Sequence, residues 1–201
     1  MFSGRVYPGA GVVVSSGEKV LMSLIFRRGH LRWELPAGIA EEDETMEETA
    51  KREAQEETFL RVQPIKAIAT CWHYSNELKA GWMGIIFTAS TQDTEESIPI
   101  HKRVSNVNFL ELQQLEKEGK LEIPNRKIQG REKIFATGYI DWRKLNSSRI
   151  HPLHREILVK YSAQGDKNLI LAMGDADRDY DCYSIDTPIY LGSESIMEVN
   201  S

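Results

Sequence analysis

The residues best placed to do chemistry lie in one stretch, Gly38 to Leu60, reading GIAEEDETMEETAKREAQEETFL. Glu53, Glu56 and Glu57 are three and four residues apart, so on a helix at about 100° per residue they share one face. Such a face repels itself by a few tenths of a kcal/mol per pair, so something should neutralise it. Hard oxygen ligands of this kind select Mg²⁺ or Mn²⁺. A Glu-rich helix is also commonly just a solvated surface, and composition does not separate the two readings.

The spacing does separate them. Gly38, five residues, Glu44, seven residues, then Arg52-Glu53-Ala54-Gln55-Glu56-Glu57-Thr58-Phe59-Leu60 resembles the Nudix box, G-x5-E-x7-R-E-U-x-E-E-x-G-U, where U is apolar. The one departure is Phe59 in place of the final Gly. Gly at that point ends the helix in a left-handed conformation, so Phe should cost on the order of 1 kcal/mol or force a different exit.

The resemblance implies a Nudix hydrolase, Mg²⁺-dependent with Mn²⁺ as the substitute ion. It cleaves a diphosphate bond in a nucleoside diphosphate linked to another group, with ADP-ribose or a nucleotide sugar first among the substrates. The implied metal ligands are Glu53, Glu56, Glu57 and the backbone carbonyl of Ala37. Glu44 would support them, Arg52 would orient a neighbouring carboxylate, and Glu53 would serve as the base that activates water. Asp93, Glu95 and Glu96 are the alternative base in a later loop. The segment Trp33-Glu34-Leu35-Pro36-Ala37-Gly38 is similar to the ELPAG form of ADP-ribose pyrophosphatases. Two other readings stay open: a Nudix-like nucleotide sensor without turnover, and a hydrolase of nucleoside triphosphates or non-nucleotide diphosphates.

Substrate choice lies outside the box. Arg27, Arg28, His30 and Arg32 cluster just before it, where they could meet phosphates, and Trp72, Tyr74 and Trp82 could stack a base. Of these, Arg27, Arg28, Arg32 and Trp72 are the substrate-binding candidates. Cys71 with His73, and His151 with His154, form pairs that lack the further ligands of a zinc site, so both read as structural.

The elements that must position these groups follow from patterning. Arg5 to Ser16 and Lys19 to Arg27, joined by Ser16-Gly17-Glu18, predict a hairpin. Gly29 to Ile39 reads as a loop, and Thr45 to Thr58 as a helix whose Met46, Ala50 and Ala54 face a sheet. Strands are expected at Leu60–Ile65, Ala67–Tyr74, Trp82–Ser90, Val107–Leu110 and Ile134–Ile140. Further helices are expected at Leu112–Glu118 and Pro152–Gln164. The result is an α+β chain, an α/β/α sandwich with a mixed sheet. Residues 1–164 form the Nudix domain and 165–201 an acidic extension, in which Leu169–Met173 and Tyr183–Leu191 read as strands. The extension is expected to pack on the body, to offer an edge to a second copy in a homodimer, or to be partly mobile, and the sequence does not choose among these.

The 201 residues carry 30 acids and 25 bases for a net charge of −5. After Gly165 there are eight acids against two bases, so the tail holds the acidity, which argues against nucleic-acid or anionic-membrane partners. The partner is expected to be a small molecule. Two cysteines, Cys71 and Cys182, suit a reducing compartment. No apolar run reaches the ~20 residues of a membrane span, and the chain reads as cytoplasmic.

Overall fold

A computed structural model describes residues 4–27, 30–75, 79–120, 133–145 and 149–175. Among the described residues, three α-helices accompany an eight-stranded mixed sheet whose main path runs β3 (His30–Glu34), β2 (Lys19–Arg27), β1 (Arg5–Ser16), β6 (Ala80–Thr91), β5 (Val62–Ser75) and β8 (Ile170–Asp175), with β4 (Ala37–Ile39) paired to β1 and β7 (Lys133–Ile140) to β2. The architecture is the α+β sandwich expected.

β1 (Arg5–Ser16) and β2 (Lys19–Arg27) occupy the predicted ranges. They pair only next to their turn, Ser15 with Val20 and Ser16 with Lys19, where Gly17 takes a positive φ of 59°. The strands then part. β2 pairs with β3 (His30–Glu34) and later with β7 (Lys133–Ile140). β1 pairs with β4 (Ala37–Ile39) on one side and runs parallel to β6 (Ala80–Thr91) on the other. β1 is thus shared by two sheet portions.

Three expectations need correction. The loop expected at Gly29 to Ile39 contains β3 and β4, separated by Leu35-Pro36, and Pro36 still contributes its carbonyl, which accepts the Val12 N–H at 3.0 Å. The strands expected at Leu60–Ile65 and Ala67–Tyr74 are one strand, β5 (Val62–Ser75). Register shifts between Pro64 and Lys66, and between Ala67 and Ala69, absorb the interruption. The strand expected at Val107–Leu110 does not form. Asn108 caps α2 (Phe109–Lys117) by accepting the Glu111 N–H at 3.2 Å, and a side-chain cap outweighs a short apolar run.

α1 (Met46–Thr58) lies on one face of the sheet. Ala50 and Ala54 are fully buried against Ala10, Val12 and Phe87, and their small side chains let the helix approach closely. α3 (Pro152–Gln164) lies on the other face and inserts Leu153, Ile157 and Leu158 among Val13, Ile86 and Ala69. Beyond Gly165, β8 (Ile170–Asp175) adds parallel to β5, so the chain after α3 re-enters the sheet. Tyr183–Leu191 lies outside the described residues.

Candidate active site

The carboxylate helix is anchored at its start by a capping box. Thr45 Oγ1 accepts the Glu48 N–H at 3.2 Å, and Glu48 Oε2 accepts the Thr45 N–H at 2.8 Å. Its far end is unusual. Phe59 takes φ 66°, ψ 4°, and its N–H reaches Gln55 O at 2.9 Å. The left-handed exit is therefore kept without glycine, with the ring packed against the core beneath α1, so burial offsets part of the backbone cost.

Arg52 binds the box together. Its Nε and Nη2 reach Glu44 at 2.7 and 2.9 Å, Nη1 reaches Glu53 Oε1 at 2.7 Å, and Nη2 also donates to the Ile39 carbonyl at 2.8 Å. Glu56 Oε2 is 3.7 Å from Nη1. The repulsion expected among the glutamates is thus met in part by one guanidinium, which reaches Glu53 and Glu56. Glu44 also accepts from the Glu41 N–H at 2.9 Å and from Thr49 Oγ1 at 3.0 Å. The bond from Arg52, outweighing desolvation, holds the Glu44 carboxyl down at about 2, and the same bond raises Arg52 further.

Two further contacts tie α1 to β4. Glu57, 7% exposed, accepts the Ala37 N–H at Oε2 at 3.2 Å. A Cβ on Gly38 would collide with the Glu53 carboxyl, so glycine there lets a carboxylate lie against the backbone. Among the described residues, no three His, Cys, Asp or Glu side chains are already gathered as a metal cage. The groups fit a hard divalent cation in another sense: Glu53, Glu56 and Glu57 are all oxygen donors on the cleft side of one helix, with a glycine cradle beside them.

These side chains line a cleft of about 1150 Å³ that continues past Gly9 and Gly84 to His73, His151 and His154. Trp82 lines it as well, and Tyr7 stacks on Trp82 at 6.1 Å between centroids. The structure also brings the Cys71–His73 pair up to the His151–His154 pair, with the ring of His73 5.3 Å from His151 and that of His151 4.8 Å from His154. Glu34 and Glu41 complete the acidic lining.

Of the sequence candidates, Ala37, Arg52, Glu53, Glu56 and Glu57 line the cleft, and Glu44 stands behind Arg52. Trp72 does not line it: Cys71 and His73 do, so strand alternation turns Trp72 to the other face, over Gly81. Arg32 is 3% exposed in the β2–β3 ladder and is not among the lining residues. Arg28 and the side chain of Arg27 lie outside what the structure describes. Asp93 is engaged by the Arg61 guanidinium and backbone N–H, and Glu95 accepts the Tyr139 N–H; with Glu96, they lie away from the cleft lining. Tyr7 and Glu34 were missed. Tyr7 becomes legible only through the parallel pairing that sets it beside Trp82.

Comparisons with known proteins agree with this geometry. The NUDIX domain profile matches residues 6–129. No curated protein sequence matches significantly. Among solved structures, a NUDIX hydrolase from Nitrosomonas europaea is similar at TM-score 0.57 and 16% identity, covering 82% of this chain and 93% of its own. A MutT protein from Bacillus halodurans is similar at 0.54 and 18%, covering 94% and 99%. Box spacing, cleft and fold lead to one assignment: the chain belongs to the Nudix family of pyrophosphohydrolases.

Proposed function

We propose that this chain is a divalent-metal-dependent hydrolase that cleaves the diphosphate bond of a nucleoside diphosphate linked to another group, with ADP-ribose or a nucleotide sugar as the preferred class. The observation that carries the reading is the set Glu53, Glu56 and Glu57 on the cleft side of α1, next to a glycine that leaves room for a carboxylate. Mg²⁺, or Mn²⁺, held by these three and the Ala37 carbonyl would neutralise diphosphate charge and make a bound water nucleophilic. Arg52 keeps Glu53 oriented, Glu44 keeps Arg52 in place, and Glu53 takes the water's proton. Tyr7 and Trp82 offer a planar ring a stacking surface in the same cleft.

The test follows AMP release from ADP-ribose with Mg²⁺, wild type against Glu57→Gln. Loss of a ligand should lower kcat by about 10²-fold or more. Equal rates would remove the mechanism, and tight nucleotide binding with no turnover under any divalent ion would replace it with a sensor.

A further inference from the structure

Leu35 donates its backbone N–H to His154 Nδ1 at 3.0 Å, across 119 residues of sequence. A ring nitrogen that accepts carries no proton, so the neutral imidazole holds its proton on Nε2. Leu35 is 1% exposed and His154 9%, which leaves little access for water to replace either partner. The ring is confined on one side by His151. Were Nδ1 protonated, two donors would face each other with no acceptor between them. The same tautomer leaves Nε2 without a lone pair for a metal, so the histidine cluster is not a zinc centre built around His154.

What this bond holds is the link between β3 and β4. Three successive residues are tied to three different elements. Leu35 is held by His154 of α3, Pro36 O by the Val12 N–H of β1 at 3.0 Å, and Ala37 N–H by Glu57 of α1 at 3.2 Å. The next residue, Gly38, is the one that faces Glu53. We propose that His154 is a positioning residue for the hydrolysis described above. As a neutral acceptor it fixes Leu35 and so sets how Ala37 and Gly38 meet the carboxylates of α1. The inference rests on that functional reading, but two of its tests do not.

His154→Asn places an amide oxygen near the position of Nδ1, whereas His154→Leu keeps bulk and removes the acceptor. His154→Leu should lose kcat about tenfold or more with KM within about twofold, and His154→Asn should retain most activity. Mn²⁺ affinity, titrated by electron paramagnetic resonance without substrate, should weaken in His154→Leu and not in His154→Asn. Long-range ¹H–¹⁵N spectra of the wild type at neutral pH should show the Nε2–H tautomer. An Nδ1–H tautomer, an imidazolium, or equal Mn²⁺ affinity and kcat in both variants would overturn the proposal. The tautomer is read on the native protein whether or not His154→Leu folds. A wild type that turns over no diphosphate would sink the functional reading while leaving the tautomer and Mn²⁺ results to decide this one.

Discussion

The carboxylate of Glu53 occupies the space where residue 38 would carry a Cβ if it were anything but glycine. The Gly at the head of the box and the first Glu of its helical cluster are thus one steric unit, although 14 residues of sequence, including the start of α1, separate them. Gly38→Ala should push Glu53 off its position against β4 and disturb the Arg52 bond to Glu53 Oε1. An expected kcat loss of about 10²-fold comes from the misplaced carboxylate, with little loss of stability, because the atoms a Cβ would meet are the far end of a flexible side chain. Steady-state kinetics and thermal melts would measure both. A variant with wild-type kcat would show that the carboxylate does not need this seat.

Glu44 gives the box a defined acid sensitivity. Its carboxyl is lowered from 4.5 to about 2 in the folded chain, chiefly by the Arg52 hydrogen bond. The folded state therefore binds this proton less readily than the unfolded state, so the contribution is whole above about pH 4.5 and drains away as pH falls toward 2. Glu44→Gln should lower stability at pH 7 by on the order of 1–2 kcal/mol. The gap to wild type in urea titrations should narrow as pH drops from 5 to 3. A gap independent of pH would mean that the pair carries no such linkage.

How much of this could be read in advance depends on how local each signal is. α3 spans the predicted Pro152 to Gln164, because Pro at its first turn and Gly165 after it are local signals. α1 starts one residue later than predicted because Thr45 is its cap. The cleft was less legible. Which of Trp72 and Trp82 faces it is set by the pairing of β6 with β5 and with β1, across two register shifts in β5. Arg32 looks like a phosphate ligand in sequence, yet it sits in the β2–β3 ladder, 3% exposed. The three histidines meet only because α3 packs beside β5, a contact between segments nearly 80 residues apart. Non-local pairing of this kind leaves no periodicity in either segment.

Phe59 allows the backbone cost of the helix exit to be separated from the value of its ring. Phe59→Ala removes the ring's contacts with the core and keeps the left-handed backbone, while Phe59→Gly removes the ring and relieves the backbone. Glycine is normally the more destabilising of the two near a helix, and here the order should reverse. Phe59→Gly should exceed Phe59→Ala by about 1 kcal/mol, or about 2–4 °C in Tm for a chain of this size. If the alanine variant melts at or above the glycine variant, the helix does not leave through a left-handed residue in solution.

Cys71 lines the cleft next to Gly84, yet its chemistry should be quiet. Burial pushes the thiol up to about 11, against a smaller opposing effect from the Gly84 backbone. The thiolate is the reactive species, so near neutral pH only a very small fraction of Cys71 can attack a disulfide reagent. In a Cys182→Ser background, native Cys71 should react with a chromogenic disulfide about two orders of magnitude more slowly than the same chain in urea. The native rate should climb about tenfold per pH unit between 7 and 9, because each step multiplies the thiolate tenfold. A native rate equal to the unfolded one, or flat with pH, would show that the thiol is already ionised and that the cleft floor is far more polar than its lining by Gly9, Gly84 and Ile86 implies.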